Sequence, residues 1–388
     1  MGVKFPIDVV ALAMELIRFR SEDLDSHEIQ GYLAGLLGQL GFTCTFLPFT
    51  NAKGRAVPNL VACRGAGSPH FAFAGHTDVV SVGDHSAQQR WVIPPFEPTV
   101  REGYLNGRGA EDMKGGLAAA ISATALFVAA RPVTPGTTSF LLTGDEEGDG
   151  DAGMPLVVDW LKKRGTRPDG CIIPEPASRG VLGATIKIGS RGCVDFFISL
   201  SDQPGHTAYP AETVNPVHQL LPVLQEIAAA SFDDEGDLFE PTNVNVVTVD
   251  VGNRQYNSVP ERVEAVVNVR YSDAHSEESL QRWVEELLGA TGQPFTIRRA
   301  GFNRPYVTEP NQFTGMLQKV TSEVLGLIPD LITQGGASDA RVLVEICPVV
   351  ELGPVHATSH QVNERALIED LGRLVQLYHR ILERFFQV

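Results

Sequence analysis

The sequence predicts an α/β fold: a main domain built on a mostly parallel sheet flanked by helices, with an α+β domain inserted into it. Three observations predict it. Short β-type runs alternate with helical patterns before residue 187 and again after residue 300. Between those positions the texture changes to longer alternating strands with only two helical patterns. The polar residues with chemical capacity gather just past the ends of the apolar runs.

Residues 6–19 and 26–40 carry apolar residues at helical spacing, and Gly41 suits a helix stop. Runs at 59–63, 70–74, 138–142, 170–173 and 348–352 read as strands, with helical patterns at 115–130 and 153–164 between them. The longest apolar stretch, 117–130, is rich in alanine and contains Ser122 and Thr124. It falls short of the roughly 20 residues that cross a bilayer and reads as a buried helix. Runs at 186–188, 194–200, 244–249 and 262–271, with helices at 215–229 and 276–289, define an inserted domain of 187–300. The main domain is then 1–186 plus 301–388, ending in helices at 311–326 and 365–386.

At 388 residues the chain has room for two or three domains. A composition 43% hydrophobic and 20% charged excludes a largely disordered protein. Lys+Arg 31 against Asp+Glu 47 gives −16, which argues against a nucleic-acid or anionic-membrane surface. One local arginine could still take an anionic substrate. The five cysteines, Cys44, Cys63, Cys171, Cys193 and Cys347, show no C-x-x-C spacing and read as reduced thiols of a cytoplasmic protein. Asp8 and Glu15 interrupt the first apolar run, which lacks the layout of a secretory signal.

The run 70–74 ends in Gly75-His76-Thr77-Asp78, and 138–142 ends in Thr143-Gly144-Asp145-Glu146-Glu147. The run 170–173 leads to Glu175, and 348–352 leads to His356 and His360. In open α/β sheets ligands bind beyond the carboxyl ends of strands. Asp112 lies just before a helix. Taken singly, Asp112 reads as a helix N-cap, His76 as a hydrogen-bonded core histidine and Glu146-Glu147 as a solvated loop. Together they read as a metal site of imidazole and carboxylate, a donor set suited to Zn²⁺, Co²⁺ or Mn²⁺. Of the adjacent Glu146 and Glu147, one can bind metal while the other serves as a base.

The segments FAGHTDVV, NGRGAEDMKGG, TGDEEG, PEP, GHTAYPAETVNPVH, NSVP, GGASDAR and VVELGPVHATSHQVNE together resemble the two-zinc aminoacylase/carboxypeptidase family. The resemblance covers nearly the whole chain and implies two zinc ions per subunit, with Co²⁺ or Mn²⁺ as substitutes. One ion would lie on His76 and Glu175, the other on Glu147 and His360, with Asp112 bridging them. The same resemblance makes Asp78 the residue that orients His76, Glu146 the general base, and Asp112–Met113 a cis peptide. His206 would reach the site of a partner subunit in a homodimer formed through the inserted domain. Arg191, Tyr209, Asn257, Arg270, Gly336 and His356 match substrate-contacting positions. The implied activity is removal of an acyl group from an N-acyl amino acid. The flanking sequence is most similar to the branch that desuccinylates N-succinyl-diaminopimelate, with acetylornithine-type deacylation as the alternative. Cys193, Ala337 and His356 depart from the desuccinylase pattern. A non-catalytic binding protein on the same fold would be marked by loss of the base or a ligand, and every matched position is intact.

Overall fold

The computed structural model describes residues 6–22, 24–133, 135–232, 236 and 238–388. The chain divides into two compact units, one of residues 1–188, 308–332 and 338–388, the other of 189–307 and 333–337.

The first unit is built on an eight-stranded mixed sheet. Its central four strands run Thr137–Thr143, His70–His76, Gly170–Ile173 and Val349–Glu351, and all three pairings among them are parallel. Antiparallel neighbours, Asn59–Gly65 on one side and Thr185–Lys187 on the other, flank this block. Strands that run parallel end at the same edge, so the segments after 76, 143, 173 and 351 emerge together. All seven residues of His70–His76 are buried, as expected of a strand covered by helices on both faces.

Helix Lys114–Ala130 packs with helices Val9–Arg18 and Ile368–Phe385. Its alanines and glycines allow close approach. A Cβ on Gly116 would lie 2.1 Å from the carbonyl oxygen of Pro174, the residue before Glu175. Gly116 thus sets how near the helix comes to that strand end. Phe73 packs against Phe140 and Tyr378, with ring centroids 5.5 and 5.3 Å away. The Tyr378 hydroxyl donates to the carbonyl oxygen of Leu352 at 2.5 Å, tying the last helix to the last central strand.

The second unit is an antiparallel four-stranded sheet in the order Asn243–Asp250, Arg262–Tyr271, Gly192–Ser201, Phe295–Asn303. Residues of Arg262–Tyr271 alternate between exposed or half-buried and buried, which is the period of a sheet with one covered face. Val194, Phe196, Val263, Val267, Leu220, Leu224, Leu280 and Val284 form its core with helices Pro216–Ala229 and Glu277–Gly289. Phe197, Val247 and Val249 are exposed.

The unit runs past the sequence boundary of 300 because Phe295–Asn303 completes the sheet and Val307 pairs with Gly189. It takes in 333–337 as well, where Thr333 donates from its hydroxyl to Leu238 and Ser190 donates to the Gly336 carbonyl at 3.3 Å. No helix among the described residues is long and apolar enough to cross a membrane.

Two glycines give opposite expectations. Gly116→Ala should lower unfolding free energy by about 1–3 kcal/mol, as overpacking does. Gly35 lies in the helix His27–Gln39, and a methyl group added there would have nothing within 4 Å. Gly35→Ala should raise stability by about 0.5–1 kcal/mol. Urea denaturation of the two variants checks both signs.

Candidate metal centre

His76 is the last residue of its strand and is 1% exposed. Its Nδ1 lies 3.0 Å from the backbone oxygen of Asp78. A carbonyl can only accept, so Nδ1 carries the proton and Nε2 points the other way. That Nε2 is 3.2 Å from Asp112 Oδ1, 3.2 Å from Glu175 Oε1 and 4.0 Å from Glu146 Oε2.

Asp78 therefore meets His76 mainly through its backbone. Its carboxylate Oδ1 is 3.6 Å from His76 Nδ1 and has no hydrogen-bond partner among the described residues. Oδ2 accepts from the backbone N–H groups of Glu146 and Glu147 at 3.1 and 2.9 Å. Asp78 thus fixes the turn that carries the two glutamates. Burial pushes its pKa up to about 6, against the pull of His76.

Asp112 sits on the loop before helix Lys114–Ala130, and the Asp112–Met113 peptide is cis. The helix cap is Met113 without a side-chain cap bond. The Asp112 oxygens go elsewhere: Oδ1 faces His76, and Oδ2 lies 3.2 Å from His360 Nε2. His360 Nε2 is also 2.9 Å from Glu147 Oε1. The result is two poles, His76 with Glu175 and His360 with Glu147, each facing one oxygen of Asp112.

The carboxylate side chains of Asp112, Glu146, Glu147 and Glu175 are 12, 13, 10 and 11% exposed. Four negative charges against at most two positive ones leave an excess that burial penalises. Burial raises Glu146 well above the carboxylate range, with His76 opposing and Glu175 and Asp339 reinforcing. Burial, then the Asp112 charge, pushes Glu175 up to about 8. Hydrogen bonds with Asp112 and Glu147 hold His360 up at about 10. Donor atoms of His76, Asp112 and Glu147 all lie within 4.8 Å of one another. This nitrogen and oxygen donor set fits a metal centre.

The other sequence-derived positions fall in separate places. In the second unit, Gly205–His206 pairs with Ser258–Val259, which brings His206, Tyr209 and Asn257 into one exposed loop pair. The His206 and Tyr209 rings meet at 5.6 Å, and Thr207 donates to the Asn257 carbonyl at 3.2 Å. His206 Nδ1 accepts from the Ala208 N–H at 3.0 Å, so its Nε2 carries the proton as an outward donor. Arg191 binds the Pro241 carbonyl, Asn243 and the Glu240 carboxylate at 2.8, 2.9 and 3.1 Å. Arg270 is opposite Cys193 in the sheet register. Cys193 is 6% exposed and accepts from Asn268 at 3.4 Å. In the first unit, His356 is exposed, with Nδ1 4.0 Å from Glu111 Oε1.

Sequence reasoning missed Glu111, Asp339 and Glu364. The first two lie inside the quoted motifs GRGAEDMKGG and GGASDAR, and the third closes HQVNE. Glu364 is fully buried and accepts from Arg108 and from the N–H groups of Gly109, Glu111 and Asp112. Asp339 has both oxygens buried without a hydrogen-bond partner among the described residues, and burial pushes its pKa up to about 6 against Arg341.

Residues 72–384 match the model of peptidase family M20/M25/M40. The chain is 40% identical over 382 residues to a protein of Anaplasma marginale named succinyl-diaminopimelate desuccinylase, covering 98% of each. A protein of the same name from Gluconacetobacter diazotrophicus is 41% identical over 377 residues, with 97% of this chain and 96% of the relative covered. Among solved structures, aminopeptidase PepT of Bacillus cereus superposes with a TM-score of 0.78 at 20% identity, covering 97% of this chain and 98% of that one. An M20 family metallo-carboxypeptidase of Sulfolobus solfataricus gives 0.77 at 18%, covering 98% and 100%. The chain belongs to peptidase family M20/M25/M40 and is a hydrolase of amide bonds.

The pKa directions carry a sign for metal uptake. His360, at about 10, and Glu175, at about 8, hold protons at pH 7 in the cation-free site. A ligand must lose its proton to bind. Affinity should therefore rise with pH through both values, from about pH 7 to about pH 10, with more than one proton released per chain on binding at pH 7. Calorimetric titration of the metal-free protein in buffers of different ionisation enthalpy measures that release, and none released would contradict the assignment.

Proposed function

We propose that this member of the M20/M25/M40 family is a two-zinc desuccinylase that converts N-succinyl-LL-2,6-diaminopimelate to succinate and LL-diaminopimelate. The observation that carries the substrate is identity of about 40% to desuccinylases over nearly the entire length of both chains. His76, Glu175 and one oxygen of Asp112 would hold one ion, and Glu147, His360 and the other oxygen the second. When bound, such ions act as Lewis acids toward water and toward the amide carbonyl.

The chain's own residues do the rest. Glu146 shares a turn with Glu147, but its one ion-pair contact among the described residues is His76, at 4.0 Å. It is the carboxylate left over from the two poles, and we assign it the base. It takes a proton from the attacking water and returns it to the leaving amine nitrogen. Its desolvation strengthens it as a proton acceptor. The outward Nε2–H of His206 is a donor suited to an oxyanion.

Recognition of the substrate carboxylates falls to Arg191 and Arg270, with Tyr209, Asn257, Gly336 and His356 as further contacts. Arg191 already carries the Glu240 carboxylate at 3.1 Å, the kind of group a succinyl terminus would substitute. The enzyme is assigned to the cytoplasm. It works as a homodimer through the 189–307 unit, whose exposed Val247 and Val249 lie on an edge strand.

Assay of zinc-loaded protein against N-succinyl-diaminopimelate, N-acetylornithine and other N-acyl amino acids tests the substrate. A clear kcat/KM preference for an acetylated amino acid would overturn the succinyl assignment. Glu146→Gln should keep both metals and lose turnover by about 10²–10⁴-fold. Near-normal turnover in that variant would remove Glu146 as the base. Mixing inactive His206→Ala and Glu146→Gln proteins under verified subunit exchange should restore part of the activity. Continued inactivity would place His206 in its own subunit's site.

A further inference from the structure

Two buried carboxylates bind the two distant segments that bear Asp112 and His360, and they do so reciprocally. Glu364, from the later segment, accepts from the N–H groups of Gly109, Glu111 and Asp112 at 3.0, 2.9 and 3.0 Å. Glu111, from the earlier segment, accepts from the N–H groups of Ala357 and Thr358 at 2.5 and 2.7 Å. It also accepts from the hydroxyls of Thr358 and Ser359 at 2.6 and 2.9 Å. Glu111 is 1% exposed, and no ligand role falls to it.

The next residue, His360, has φ +63, the left-handed region that a non-glycine residue rarely adopts. It is also half exposed, with a side chain 53% accessible. Neither its backbone preference nor its packing holds the ring in place. The three residues before it are held instead by four hydrogen bonds to one carboxylate.

We propose that Glu111 is a positioning residue for the Glu147–His360 pole, gripping the 357–359 backbone so that His360 presents Nε2 beside Asp112. This rests on the two-ion reading above. Glu111 touches neither an ion nor the substrate. Its effect belongs to the affinity of one ion, the one His360 would hold, and leaves the His76–Glu175 pole unchanged. Residues that orient metal ligands from behind typically change affinity by about 10–100-fold.

The experiment is zinc titration of the metal-free full-length protein against a chromogenic chelator, for wild type, Glu111→Gln and Ser359→Ala. Glutamine keeps the size but turns an amide N–H₂ toward groups that are themselves donors. Wild type should take up two ions per chain; one or none at saturation would defeat the two-ion reading itself. Glu111→Gln should bind one ion as wild type does, within about threefold, and the other about 10–100-fold more weakly. Its kcat should return to the wild-type value at high zinc, with KM unchanged. Ser359→Ala, which removes one of the four hydrogen bonds, should shift the same step by less, and it serves alone if Glu111→Gln does not fold. Two wild-type affinities in a folded variant would overturn the proposal. So would equal weakening of both steps, or lost activity that zinc does not restore.

Discussion

Two imidazoles and four carboxylates can crowd together at one sheet edge only if the backbone carrying them cannot move apart. The ring of acceptors behind them meets that constraint. Asp78, Glu111 and Glu364 are buried carboxylates whose oxygens take backbone N–H groups of the segments bearing Glu146, Glu147, Asp112 and His360. Each N–H that donates to a carboxylate spreads its charge and loses freedom in the same step. The repulsion stored among the front carboxylates is thereby opposed by hydrogen bonds rather than by packing alone.

The same logic reaches the helices. Lys114, the first residue of its helix, is fully buried and donates to the Phe19 carbonyl at 2.8 Å. Burial pulls its pKa down to about 7, while Glu364, Asp78 and Glu22 pull it up. Its Nζ lies behind the acceptor ring and joins the end of the first helix to the Asp112 loop. Gly116, two residues on, lets that helix touch the Pro174 carbonyl and so fixes where Glu175 begins.

The strand ends were readable because parallel strands leave a strong pattern: a continuous apolar run, then small and polar residues. His76, Glu147 and Glu175 stand at or just past such ends, His360 lies on a loop nine residues beyond Glu351, and Asp112 precedes an apolar helical run. The acceptor ring was not readable. An acceptor for backbone N–H needs only a carboxylate in the right place, and Glu111 and Glu364 are 253 residues apart. Asp78 shows a finer limit. Its spacing from His76 announces an interaction, but not that the carbonyl would take the ring nitrogen and the side chain the next turn. The 333–337 segment belongs to the second unit through contacts with Ser190 and Leu238, which no local pattern encodes.

The position of Val349–Glu351 has a consequence for synthesis. It lies between Gly170–Ile173 and Thr185–Lys187 in the sheet. A chain leaving the ribosome therefore carries both neighbours long before the strand that joins them. Until it arrives, two strand edges stay unpaired, and such edges invite pairing with other chains. The acidic residues at the ends of the earlier strands meanwhile lack His360 and the Glu364 clasp. Cargo that depends on both poles could be captured only once Val349–Glu351 and the segment bearing His360 and Glu364 have joined the earlier strands.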